Sequence, residues 1–265
     1  MFELIKDPGV HEFEIRRYFE DRVRYDKNVP VFDLPLVVLL FTNRCGSNLF
    51  ADYAVNLGLI GGLEEVLNYD EVIQSSEKFG INSFPEYIEK SALVHTSKNA
   101  VYGVKAGVEQ LCMLARWGIT RMFREVIVLH VERSDLLDQA ISMSIATQTQ
   151  QWTSEKKSLN DNVEFRFDEI NRIIELNSDL NAAGRIFSQA MSYNYERFTY
   201  ENFSLDASVA MNRVSNALSL GVLNSELPSP RIRKQANELN LQFRAKYLSL
   251  LKEISGATQP QNKLS

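Results

Sequence analysis

A short polar turn, Thr42-Asn43-Arg44-Cys45-Gly46-Ser47-Asn48, sits between an apolar run and a helical pattern. Main-chain N–H groups of such a turn and the positive end of the following helix dipole converge on one point. The result is an anion cradle, and Arg44, Cys45, Gly46, Ser47 and Asn48 are its candidate binding residues. It holds an Arg where a Walker A loop has a Lys-Ser/Thr pair. The Walker Ser/Thr holds Mg²⁺, so a cradle without it points to anion chemistry that needs no metal. A second constellation is Arg133, at the end of another apolar run, with Ser142 in the helical pattern that follows, ~12 Å along the helix axis. An Arg and a hydroxyl aligned in this way can hold a second phosphate. Two separate anion sites on one sheet edge suit a nucleotide with phosphates on both faces of its ribose.

The elements that must position these groups follow from hydropathy patterning. Leu36–Phe41 reads as a buried parallel strand, and Leu49, Phe50, Tyr53, Ala54 and Leu57 mark one face of a helix that stops at Gly58. Further strands are expected at Ala100–Lys105, Glu125–Val131 and Arg197–Tyr200. Helices are expected at Tyr69–Phe79, Phe84–Lys98, Val108–Arg116, Asp135–Gln151, Val163–Ser192, Asp206–Leu220 and Gln235–Ile254, with Ser134 as the cap of the fourth. Strands alternating with helices imply an α/β fold, a three-layer and mostly parallel sheet carrying a P-loop-like turn. Ligands on such sheets sit at the carboxyl ends of the strands. Residues 1–33 read as a charged helical extension, 34–255 as a single α/β domain and 256–265 as a disordered tail. The polar stretch Thr153–Asn162 reads as a mobile loop.

Bulk composition narrows the function classes. The chain has 265 residues, is 45% hydrophobic and 24% charged, and carries a net charge of −5. The charge argues against a general nucleic-acid binder. No apolar run is long enough to span a membrane, and the charged N-terminus has no signal-peptide core. Two cysteines, Cys45 and Cys112, suit a reducing cytosol. With His11, His95 and His130 they show no metal-ligand spacing.

The motifs then resemble a known family. Arg44-Cys45-Gly46-Ser47-Asn48-Leu49-Phe50 is similar to the first loop of the sulfotransferases that use 3′-phosphoadenosine 5′-phosphosulfate (PAPS), and among these the bacterial trehalose-2-sulfotransferase-like branch. Gly61-Gly62-Leu63-Glu64-Glu65-Val66-Leu67 resembles that branch's segment after the first helix. Arg133, Asp135, Gln139, Ala140 and Ser142, followed by Ala146, Gln148, Thr149 and Trp152, match its 3′-phosphate segment at the same spacings. Gly103-Val104-Lys105 matches its Gly-x-Lys, and Lys234-Gln235-Ala236 is the counterpart of a C-terminal Arg-Gln-Ala segment. Cys45 stands for a serine and Asn48 for a threonine. Gly62 stands for an acidic residue near the acceptor, so trehalose is not carried over.

The resemblance implies a cytoplasmic, homodimeric enzyme. It would move a sulfuryl group from PAPS to a hydroxyl of a small carbohydrate, glycolipid or related alcohol, releasing 3′-phosphoadenosine 5′-phosphate (PAP), with no metal. Arg44 would stabilise the 5′-phosphate as charge grows on it, and Arg133, Ser142 and Lys234 would complete the nucleotide site. Lys105 would contact the sulfuryl group or leaving oxygen, although a strand-end Lys can simply snorkel. Glu65 aligns with the general base, with a pKa expected to be raised. Glu64 is one position away, and His95 and His130 are the other base candidates, the latter reading as a core histidine. A P-loop kinase-like phosphotransferase and an inactive PAP-binding interaction module are the competing classes. The absence of GK[ST] disfavours the first, and turnover with any acceptor would exclude the second.

Overall fold

The computed structural model describes residues 2–152, 160, 162–223, 227, 229 and 238–256. The elements are α1 (Phe2–Lys6), α2 (Val10–Phe19), a 3₁₀ turn (Glu20–Val23), β1 (Leu36–Phe41), α3 (Ser47–Asn56), β2 (Gly61–Glu64), α4 (Tyr69–Phe79), α5 (Phe84–His95), β3 (Tyr102–Ala106), α6 (Val108–Arg116), a second 3₁₀ turn (Ile119–Met122), β4 (Val126–Glu132), α7 (Leu136–Thr149), α8 (Phe167–Ala190), β5 (Asn194–Thr199), α9 (Tyr200–Leu205), α10 (Ala207–Ala217) and α11 (Glu238–Ile254). Among the described residues no helix is long and apolar enough to cross a membrane.

The chain divides into two units: residues 1–134 with 177–232, and residues 135–176 with 233–265. The first holds the sheet. Its strand order is β2-β3-β1-β4-β5, and every pairing is parallel. Alternation along β1 shows why the strand is apolar throughout. Leu36, Val38 and Leu40 enter a core on one face, with Ile15 and Phe19 of α2, Phe84 of α5 and Leu111 of α6. Val37 and Leu39 enter the core on the other face, with Phe50 of α3, Phe203 of α9 and Met211 of α10. Covering both faces of a parallel sheet satisfies strands that have no polar side, and the expected three-layer α/β architecture is the one observed.

Residues 2–23 pack as part of this layer. Ile15, Phe19 and Val23 are fully enclosed. Glu12, 5% exposed, accepts the Nε–H of Arg116 on both carboxylate oxygens at 3.1 Å.

The second unit is smaller. Ala140 and Ile141 of α7, Ile170 of α8 and Phe243 and Tyr247 of α11 form its core. Asp135 and Asp138 hold Arg244 at 2.9 and 2.7 Å.

Two elements depart from the sequence reading. β2 is absent from the strands that patterning places, and its Gly61-Gly62 pair carries little strand propensity. It is an edge strand that pairs only with β3, with an irregularity between Gly62 and Glu64. A Cβ on Gly61 would lie 1.9 Å from the His95 carbonyl oxygen, so glycine is what lets this strand lie against the chain after α5. Tyr200, expected as the end of a strand, instead opens the short helix α9. The helix cap expected at Ser134 is Asp135, whose side chain accepts the Asp138 N–H at 2.9 Å.

Candidate active site

Parallel pairing puts the carboxyl end of every strand on one edge. The strand order therefore lays out, along that edge, Glu65 after β2, Lys105 at the end of β3, the Thr42–Gly46 turn after β1, Arg133 after β4 and Tyr200 after β5. Lys105 pairs in register with Leu39 of β1 and is 4% exposed. Its ammonium donates to Glu65 Oε1 at 2.7 Å and to Asn48 Oδ1, and lies 4.7 Å from the centre of the Phe41 ring. A buried ammonium requires such partners, because its desolvation is costly. Three residues separated in sequence, Asn48, Glu65 and Lys105, thus meet as one polar cluster beside the turn.

The turn has the backbone of a cradle. Arg44 lies at φ 65° and Gly46 at φ 91°, both left-handed. At Gly46 a Cβ would also stand 2.4 Å from the Tyr200 ring and 3.2 Å from Phe203, so only glycine fits. Ser47 opens α3 and is 5% exposed. Thr42, equally buried, donates from its hydroxyl to Asn181 of α8 at 3.4 Å and accepts the Cys45 N–H at 3.3 Å. Arg133 stacks over Tyr200, 5.2 Å from guanidinium to ring centre. Burial, then the positive charge of Arg133, lowers the Arg44 pKa. Like charges near a partly desolvated turn each disfavour the charged form of the other.

Glu65 departs from the expectation of a raised pKa. Burial pushes it up, but the charge of Lys105, the hydrogen bonds from Lys105 and Asn68, and the field of His11 outweigh burial and hold it below the ordinary glutamate value. Glu64, the last residue of β2, is exposed, and its charge helps to raise the Tyr87 and Tyr102 pKa values. Cys45 is fully buried among Val37, Leu39 and Phe50, and burial lifts its thiol to about 11. Its side chain is core, which leaves only its main chain in the turn.

Ser142 lies on α7, in the second unit. Lys234 lies outside the described residues. His95 ends α5. His130 is a core histidine, 1% exposed, with Nδ1 at 2.8 Å from the Tyr195 hydroxyl; burial lowers its pKa to about 3. Patterning had pointed to neither Tyr200 nor His11. A sequence pattern carries no signal for Tyr200, which reaches the cradle only through sheet order, or for His11, which reaches the Glu65 loop through packing of α2.

Among the described residues no group of three or more His, Cys, Asp or Glu side chains could hold a metal ion. No curated protein matches the chain. A solved structure from the PezAT chromosomal toxin–antitoxin system of Streptococcus pneumoniae is similar with a TM-score of 0.32 and 10% identity, over 93% of this chain and 99% of that one; a likeness that weak bears on neither fold nor function. The family model described as Stf0 sulphotransferase matches residues 37–249, from β1 through the Glu65 loop, Lys105 and Arg133 to α11. The chain belongs to the Stf0 sulphotransferase family.

Proposed function

We propose that the protein moves a sulfuryl group from PAPS to a hydroxyl of a small carbohydrate, glycolipid or related alcohol, as a cytosolic homodimer. The observation that carries this reading is the meeting of Lys105, Glu65 and Asn48 beside the left-handed turn at Arg44–Gly46. The residues fit such a donor. The left-handed backbone at Arg44 and Gly46 turns the chain sharply ahead of the α3 N-terminus, the arrangement in which main-chain N–H groups converge on an anion. The Arg44–Arg133 pair supplies the charge that two phosphates need. Bound PAPS supplies a sulfuryl group on a good leaving phosphate.

The chain's own residues divide the remaining work. The main chain of Cys45, Gly46 and Ser47 and the Arg44 guanidinium hold the 5′-phosphate and stabilise the charge that gathers on its bridging oxygen. Arg133, after the end of β4, holds the 3′-phosphate. Asn48 and Lys105 orient the sulfuryl oxygens. Glu65 takes the acceptor O–H proton while the acceptor oxygen bonds to sulfur and the bond from sulfur to the phosphate oxygen breaks, releasing PAP and the sulfate ester. Glu65 begins ionised, which a base requires. When Lys105 turns its charge to the sulfuryl oxygens, Glu65 loses the partner that keeps its pKa low and becomes more basic as the proton moves.

The test has two arms. PAP should raise the melting temperature without added metal, and ATP much less; equal stabilisation by both, or an absolute Mg²⁺ requirement, would remove the reading. A screen of alcohol acceptors with ³⁵S-labelled PAPS then names the acceptor.

A further inference from the structure

The N-terminal helix α2 brings a titratable group against the Glu65 loop. His11 Nδ1 accepts the main-chain N–H of Tyr69 at 3.1 Å, and the two rings lie 5.7 Å apart. Tyr69 is the first residue of α4, whose N-cap Asn68 makes no side-chain cap bond. Asn68 is engaged elsewhere: its Nδ2 donates to Glu65 Oε2 at 3.3 Å, and its Oδ1 accepts from Gln110 at 3.1 Å. An unsatisfied N–H at the start of α4 is thus met by a residue from a distant helix. The Asn68 N–H donates to the Glu65 carbonyl at 3.1 Å, so the same short turn carries both Glu65 and Tyr69. α2 cannot drift from this place, because Glu12 is locked to Arg116 and Ile15 and Phe19 lie in the core.

We propose that His11 is a positioning residue for Glu65: with Nδ1 unprotonated it pins the Glu65–Tyr69 turn, and α2 is thereby a working part of the acceptor side of the site. The inference rests on the reading of Glu65 as the base. Because Nδ1 accepts, the proton of the neutral ring is on Nε2. Protonating Nδ1 removes the acceptor of the Tyr69 N–H and frees the turn. The charged groups facing His11 are Glu65 beyond β2, Asp70 on α4 and Glu109 on α6. All three favour the imidazolium, but burial is the larger effect and lowers the pKa from 6.5. The ring is therefore neutral at pH 7, and the turn loosens as pH falls through a value below 6.5.

The test uses the full chain, labelled with ¹⁵N and with ¹³C at Glu carboxyls, with no donor or acceptor present. At pH 7 the His11 signals should show a bare Nδ1 and a protonated Nε2, and the Tyr69 amide shift should follow the His11 titration. In His11→Ala the Tyr69 amide should exchange about tenfold faster, and the Glu65 carboxyl should titrate at higher pH. His11→Gln restores an acceptor without a charge, so it should return Tyr69 protection but not the Glu65 titration. A protonated Nδ1 at pH 7, or Tyr69 exchange within about twofold of wild type in His11→Ala, overturns the proposal. Failure of the base assignment is seen separately: Glu65→Gln would then keep full turnover while the Tyr69 signals stand, and a positioning role toward catalysis would go with it.

Discussion

Replacing Glu65 by Gln makes demands on three observables at once. The first is turnover. General-base catalysis contributes ~10²–10⁴-fold, so kcat with the acceptor found by the radiolabel screen should fall by about 3–5 kcal/mol of barrier. The second is PAP binding. Glu65 is a negative charge beside an anion site, and its loss cannot weaken an anion; the Kd by calorimetry should stay within about 0.5 kcal/mol or tighten. The third is stability. The Lys105 side chain is 5% exposed and the Glu65 side chain 45%. Breaking a fully buried pair costs ~3–5 kcal/mol, whereas exposed pairs are worth ~0.2–1. Solvent screening at Glu65, and the amide oxygen that Gln retains as an acceptor for Lys105, place the cost at about 1–2 kcal/mol, a Tm drop of roughly 2–8 °C. Glu65 is held below its ordinary pKa. Its stabilisation is therefore full above the unfolded value and is lost as pH falls through the lower, folded one, so the Tm difference between the two proteins should narrow and then close as pH falls below the ordinary glutamate range. Glu64→Gln is the control, because the ion pair to Lys105 is made by Glu65 and Glu64 is the exposed neighbour. Turnover of Glu65→Gln within threefold of wild type would refute the reasoning. So would a loss of PAP affinity that matches the loss of rate.

Three further outcomes bear on the nucleotide site and assembly. Arg133→Ala should weaken PAP at least about tenfold, as loss of a charge-assisted contact implies, while adenosine 5′-phosphosulfate, which lacks the 3′-phosphate, loses little; equal weakening of both would make Arg133 structural. Gly46→Ala places a Cβ at φ 91° and 2.4 Å from Tyr200, which should cost about 2 kcal/mol or more and weaken PAP by displacing the ring under Arg133; a Tm within about 1 °C of wild type would contradict the close packing. Sedimentation at micromolar concentration should show a homodimer, and a monomer throughout would count against the proposed assembly.

What the sequence determined by itself is local. The apolar run Leu36–Phe41, the Gly-bearing turn and the amphipathic start of α3 are contiguous, so periodicity alone placed this strand, turn and helix, and the α/β alternation followed from the same signal. The spacing from Arg133 through Ser142 to Trp152 likewise lies within one strand–helix connection. Tertiary structure decided everything that depends on sheet order. β2 forms because its glycines can lie against the chain after α5 and pair with β3, and no propensity scale registers that. Strand order then brings Glu65, Lys105 and Asn48 together across long stretches of chain. That contact reverses the expected direction of the Glu65 pKa, because a buried ammonium at hydrogen-bonding distance outweighs burial. The turn sends the Cys45 side chain into the core, so any part it has in the turn's chemistry falls to its main chain. Tyr200 under Arg133 and His11 at the start of α4 are reached only by packing. A one-dimensional pattern records which residues share a face of their own element, and these two act on residues of other elements.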